Sequence, residues 1–205
     1  MRHDTTNASA EALDASIEAL DSSIEALDSS LHERRIEVRE LGLADLDLLM
    51  EWRARVLADV FSDACLSKEE QAALLRANRA YYQEQLASGG HRAFMAFVDG
   101  IPAACAGVCL QQELPSPDNP NGRCAYVMNV YALPQRRGLG LGTRVMHAAL
   151  DAAAEEDVHK VYLETTQAGR PLYEKLGFVE MEGYLRLPPN ETAYPCHANA
   201  SEGIR

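Results

Sequence analysis

Two arginines, Arg136 and Arg137, are followed by glycines on alternate residues, Gly138, Gly140 and Gly142, and then by an alanine-rich stretch. Residues of these types at this spacing suit one task, the holding of an anion. Glycine lets a backbone come close to a ligand and leaves several N–H groups unobstructed at a helix start. Such a terminus carries partial positive charge and accepts phosphate oxygens. Gly138, Leu139, Gly140, Leu141, Gly142 and Thr143, with Arg137 beside them, therefore form a candidate cradle for a diphosphate.

Spacing narrows the choice of nucleotide. An ATP-type loop needs a lysine before its Ser or Thr, and Thr143 follows Gly142 instead, so that loop is excluded. The dinucleotide fingerprint G-x-G-x-x-G is approached but not met, since the glycines here run G-x-G-x-G. Glu164 stands about where a ribose-binding acid is needed, which keeps a dinucleotide open on residue types alone. Against it, Pro134, Gln135, Arg136 and Arg137 form a spacer that the dinucleotide turn lacks.

The third cradle is a resemblance. The stretch 135–142 resembles the Q/R-x-x-G-x-G/A motif of the GNAT superfamily of N-acetyltransferases, in two registers, from Gln135 or from Arg137. The gap after the strand-ending Pro134 selects Arg137-x-x-Gly140-x-Gly142. A second motif, Leu172-Tyr173-Glu174-Lys175-Leu176-Gly177-Phe178, is similar to the family's L-Y-E-K-x-G-F helix. The resemblance spans about residues 36–187 and leaves both ends uncovered. The resemblance implies acetyl-CoA as co-substrate and no metal. It also implies an α/β (α+β) fold, with a mixed, twisted six- to seven-stranded sheet and helices on both faces, to which the seven-residue repeat near the N-terminus adds a heptad helix.

Carried over residue by residue, the backbone of Val130, Tyr131 and Ala132 would face the pantetheine arm and the thioester carbonyl. Residues 138–143 would hold the diphosphate, and Tyr173 would protonate the departing thiolate. A phenol near pKa ~10 and a thiol near ~8.5 are close enough for that transfer. A Tyr173 ring packed on Phe178 is the plainer alternative. The general base is open, because the central strand carries Tyr126, Met128, Asn129 and Tyr131 where many relatives have a Glu. Glu113 and Glu164 end neighbouring strands and are the candidates, acting through water. Thr165, Thr166 and Gln167 stand where some relatives carry an Asn, which leads away from a ribosomal-protein N-terminal acetyltransferase. With no cysteine at a family nucleophile position, acetyl transfer directly to an amine is expected. Trp52, Arg53, Arg55, Tyr81, Tyr82 and the loop 114–122 are where the acceptor would be read, Trp52 being on residue type more often core than contact.

The elements that must position these groups follow from pattern. Alternation predicts a strand over 35–40, and helical spacing of Leu46, Leu49, Met50, Arg53, Val56, Leu57 and Val60 predicts a helix from 44 or 45 to 60. Ser67 with Glu70 is a capping box for a second helix that ends near Gly89 and Gly90. Strands over 92–98 and 103–113 are joined by the Asp99-Gly100 turn. A central strand over 124–132, the cradle helix over 142–156, a strand over 158–164 and a short helix over 170–176 follow. Strands near 178–181 and 184–187 close the order.

The chain has 205 residues and a net charge of −12. Residues 1–31 hold seven acids against Arg2, half of that excess. There, Ala10, Ile17, Ile24 and Leu31 recur every seven residues with Leu13, Leu20 and Leu27 between them, an a/d seam. A dimerising coiled coil, a helix docked on the domain and a disordered arm all stay open. The division expected is an acidic heptad-repeat arm (1–33), an N-acetyltransferase domain (34–188) and a tail (189–205). The acidic balance disfavours nucleic acid and suits a cationic amine. No apolar run is long enough for a bilayer, and no secretory pattern is visible at the start. Cys65, Cys105, Cys109, Cys124 and Cys196 include no C-x-x-C, and the six histidines no H-x-x-x-H. Reduced buried thiols in a cytoplasmic protein, without a metal, are expected. The substrate expected is a small-molecule amine. A protein N-terminal or lysine acetyltransferase, and a catalytically weak acyl-CoA-binding module with a coiled-coil arm, are the alternatives.

Overall fold

The computed structural model describes residues 35–60 and 66–185. The heptad arm, the tail, Cys65 and Cys196 lie outside them. Strand β1 (Ile36–Leu41) leads through a single 3-10 turn into helix α1 (Leu46–Val60). Leu49, Trp52 and Val56 fall on one stripe of α1 and are buried. Helix α2 (Lys68–Ser88) opens on the expected box: Ser67 Oγ accepts from Glu70 N at 3.2 Å, and Ser67 N donates to Glu70 Oε2 at 2.8 Å. Gly89, at φ +75°, ends it. Strands β2 (His91–Val98) and β3 (Ile101–Gln112) meet at Asp99 and Gly100, both with positive φ, the geometry a two-residue hairpin favours.

Strand β4 (Arg123–Ala132), helix α3 (Leu141–Glu155), strand β5 (Lys160–Leu163) and helix α4 (Arg170–Lys175) complete the described order. The sheet runs β1-β2-β3-β4-β5, antiparallel except for the parallel pair β4–β5, which α3 connects. One face is covered by α3, whose Leu141, Val145, Met146, Ala149, Ala152 and Ala153 are buried. Its alanines let the helix lie close to the sheet, and full burial of Val145 and Met146 contributes roughly 1.5–3 kcal/mol each. The other face is covered by α1 and α2 through Leu49, Trp52, Val56 and Tyr82. Arg92 stitches the layers, binding Glu40 of β1 through Nε and Nη2 and Glu155 of α3 through Nη1 at 2.6 Å.

The mixed sheet with helices on both faces is as expected, but the described residues give five strands rather than six or seven. Residues 178–181 are irregular, and residues 186–187 of the last expected strand lie outside the described set. Gly177 and Gly183, both at positive φ, turn the chain at each end of this segment, and Phe178 packs its ring on Tyr173 instead of joining β5. A cavity of about 960 Å³ separates β5 from the segment.

Candidate active site

The cradle forms where β4 ends. Pro134–Arg136 makes one 3-10 turn, Arg137 is extended, and Gly138 and Gly140 sit at φ +81° and +70°. An L side chain is strained at such angles, so the need for glycine is one of backbone conformation. Gly140 is the N-cap of α3 and offers no side chain to its amides. None of the amides of residues 138–143 donates to a carbonyl or side chain among the described residues. Gly142 has another reason to be small: a Cβ there would lie 3.2 Å from Leu172 Cδ2. The two sequence motifs thus meet in space, α4 packing on the first turn of α3. Arg137 folds back so that its Nε donates to the Ala132 carbonyl at 3.3 Å.

The slot lies beside the cradle. Pairing of β4 with β5 stops at Val127 and Leu163, and β4 runs on to Ala132 with no strand on that edge among the described residues. On its other edge β4 bulges. Cys105 faces Tyr131 and Gly107 faces Met128, so Ala106 stands opposite both Asn129 and Val130. Asn129 takes φ +56°, a conformation asparagine tolerates better than most side chains. The bulge redirects the backbone of Val130, Tyr131 and Ala132, the three residues expected to meet the thioester arm.

Tyr173 of α4 is half-buried and stacks edge-on against Phe178, ring centroids 6.0 Å apart. The packing role and a place near the slot therefore coexist. Burial first, and the neighbouring Tyr126 second, raise its phenol above the ordinary value. The 960 Å³ cavity borders Tyr173 but contains no cradle residue and no residue of β4. The cavity reaches Leu163 and Glu164, where β5 leaves β4.

The two candidate bases part company. Glu113 binds Lys160 at 3.0 Å, which holds its carboxyl below the usual range, at the end of β4–β5 where Cys124 pairs with Lys160. That is the far end from the cradle. Glu164 follows β5 directly at the parting, and its charge is felt by Tyr126, whose phenol is raised by burial first and Glu164 second. The loop 114–122, expected to read the acceptor, also lies at the far end, where Glu113 N donates to the Gly122 carbonyl and Asn121 to the Asp157 carbonyl.

Of the other acceptor candidates, Trp52 is core, buried edge-on against Tyr131. Arg55 pairs with Glu51 at the surface. Tyr82 reaches Asn129, whose Nδ2 donates to its hydroxyl at 3.5 Å, and Arg53 reaches the same residue more closely. Its Nε donates to Asn78 Oδ1 at 2.8 Å and its Nη1 to Asn129 Oδ1 at 2.9 Å, which clamps the bulge. Sequence reasoning placed Asn129 on the strand but missed the bulge, for which an asparagine amid apolar strand residues was the available signal. It also missed the buried His91, which accepts or donates at Nδ1 to the Tyr81 hydroxyl at 3.2 Å. Tyr131 was expected to act through its backbone alone, yet its hydroxyl also donates to Asp59 at the end of α1. The Cys105 thiol, buried under α1 and α2, is pushed up to about 12 by that burial, so it is no nucleophile. Among the described residues no cluster of His, Cys, Asp or Glu could hold a metal, and no helix is long and apolar enough to cross a membrane.

Residues 55–178 match the model of the acetyltransferase (GNAT) family. Among solved structures, the chain is similar to a predicted acetyltransferase with acetyl-CoA from Clostridium acetobutylicum, at 27% identity and a TM-score of 0.65, over 75% of this chain and 96% of that one. It is similar also to a GCN5-related N-acetyltransferase from Ralstonia eutropha JMP134, at 26% identity and a TM-score of 0.64, over 75% and 98%. An aminoglycoside N-acetyltransferase in complex with CoA, at 14% identity and a TM-score of 0.59 over 76% and 95%, shares the fold. No curated protein matches the chain by sequence.

Proposed function

The chain belongs to the acetyltransferase (GNAT) family and is an acetyl-CoA-dependent N-acetyltransferase, and from that premise we propose that it acetylates a small-molecule amine by direct transfer. When bound, acetyl-CoA supplies an activated acetyl thioester. The observation that carries the proposal is the parting of β4 from β5 beside a helix start whose amides are all unspent. The amides of residues 138–143 would hold the diphosphate, with Arg137 near it, and the backbone of Val130, Tyr131 and Ala132 would flank the arm. Tyr173 would deliver its phenolic proton to the departing sulfur, and burial keeps that proton on the oxygen at neutral pH. Glu164, at the parting, would take the proton of the attacking amine through water. Direct transfer is favoured because no cysteine stands at a family nucleophile position, and Cys105 and Cys124 are buried.

A small-molecule acceptor is favoured because no peptide-reading feature stands out in the sequence, whose acidic balance suits a cationic amine. Calorimetry with CoA and acetyl-CoA, then thiol release across a panel of amines and peptides, tests the proposal. Binding with release on small amines and not on peptides supports it. Failure of acetyl-CoA to bind a folded protein sinks it. We propose self-association through the a/d seam of residues 10–31, for which deletion of residues 1–31 should abolish concentration-dependent association in sedimentation.

A further inference from the structure

Arg53 is a cation with no counter-charge among the described residues. It is half-buried under α2 against the bulge of β4, and among the described residues no carboxylate lies within ion-pair distance of it. Its neighbours are instead neutral. Two side-chain amides accept from Nε and Nη1, and Nη2 donates to nothing among the described residues. The titratable groups that feel its charge are Tyr81, Tyr82, His91 and Cys105. Burial keeps all four uncharged at neutral pH: it raises the two phenols and the thiol and pushes the imidazole down to about 4. On the same two helices Arg55 is paired with Glu51 and Arg79 with Asp47.

A buried or half-buried charge is costly unless it is paired. Here the cost is borne with the guanidinium already aimed and held. Asn78 is itself anchored by donating to the Leu74 carbonyl at 2.8 Å, and Asn129 is fixed by the bulge. A guanidinium so held is preorganised to bind a planar anion. Its place also matters. Asn129 directly precedes Val130, so the free edge of Arg53 lies one residue from the backbone expected to flank the thioester.

We propose that Arg53 is a specificity-determining residue that binds the carboxylate of the acceptor, which makes the substrate a carboxylate-bearing amine such as a free amino acid. The inference rests on the acetyl-transfer function proposed above. The planar fork of one held guanidinium matches one carboxylate in shape and charge. The half-buried Tyr81 stands over the same network and gives the acceptor's side chain an aromatic wall.

The test is thiol release from acetyl-CoA with the proteinogenic amino acids, each beside its α-carboxamide, and with glucosamine 6-phosphate. Acetyl-CoA affinity is measured by calorimetry on the same preparations. Expected is a kcat/KM for at least one acid that exceeds its carboxamide by about tenfold or more. In Arg53→Gln that ratio should fall about tenfold with acetyl-CoA affinity retained, and in Arg53→Lys it should fall less. If Arg53 only clamps the bulge, acid and carboxamide lose activity together and the ratio stays put, which overturns the inference. Equal use of acid and carboxamide by the unmodified protein, preference for glucosamine 6-phosphate, or turnover of carboxylate-free amines alone overturns it while acetyl transfer stands. Absence of acetyl-CoA binding removes both proposals.

Discussion

At the scale of single residues, two side chains carry sharp consequences. Tyr173 is protonated, half-buried and next to the parting strands, so its hydroxyl rather than its ring is the testable part. Tyr173→Phe keeps the ring against Phe178 and removes the proton. Its kcat should fall about 10²-fold or more while acetyl-CoA affinity by calorimetry stays nearly unchanged. Gly140 makes the opposite kind of contribution. A Cβ there would touch nothing, yet the backbone stands at φ +70°. Gly140→Ala should therefore cost about 1 kcal/mol through the left-handed conformation alone, read as a lower Tm, and should weaken acetyl-CoA binding as the first amides of α3 shift.

At the scale of elements, local chemistry set most boundaries and tertiary contacts set the exceptions. The Ser67–Glu70 box starts α2 on its own, so Ser67→Ala should lower stability by about 1 kcal/mol in denaturant unfolding. The bulge of β4 is a different case, since no turn residue announces it. Its support is a clamp from α1, and its neighbour on β3, Gly107, is small because the His91 ring fills the space: an added Cβ would lie 2.7 Å from Cε1 and Nε2. Gly107→Ala should therefore overpack this site and cost about 1–3 kcal/mol, checked by the same unfolding experiment. The strand expected near 178–181 failed for the complementary reason. Its residue types suit a strand, but Phe178 finds a better partner in Tyr173, and glycine turns at both ends leave no length to pair with β5.

At the scale of the whole molecule, the sheet separates two jobs. The α3 face holds the cradle, and the α1–α2 face holds a buried polar network centred on Arg53 and His91. His91 is almost fully buried, and burial first with Arg53 second pushes its imidazole down to about 4. The unfolded chain then binds a proton that the folded chain refuses. The cost is absent above the ordinary value near pH ~6.5 and grows as pH falls toward ~4, up to about 3 kcal/mol. His91→Phe should flatten the fall of Tm between pH 7 and 4 relative to the unmodified protein. A parallel fall in both would remove His91 as the cause. The sequence by itself determined the glycine turn before α3, the order of the elements, the capping box of α2 and the hairpin, because each rests on residues close together in the chain. Only the tertiary structure decided that β4 parts from β5 after Val127, that Glu113 and the loop 114–122 belong to the far end of the sheet, and that Arg53 stands on Asn129. Those facts join residues as much as 76 positions apart, and no spacing rule reaches that far, since strand register and helix docking settle only when the whole core packs.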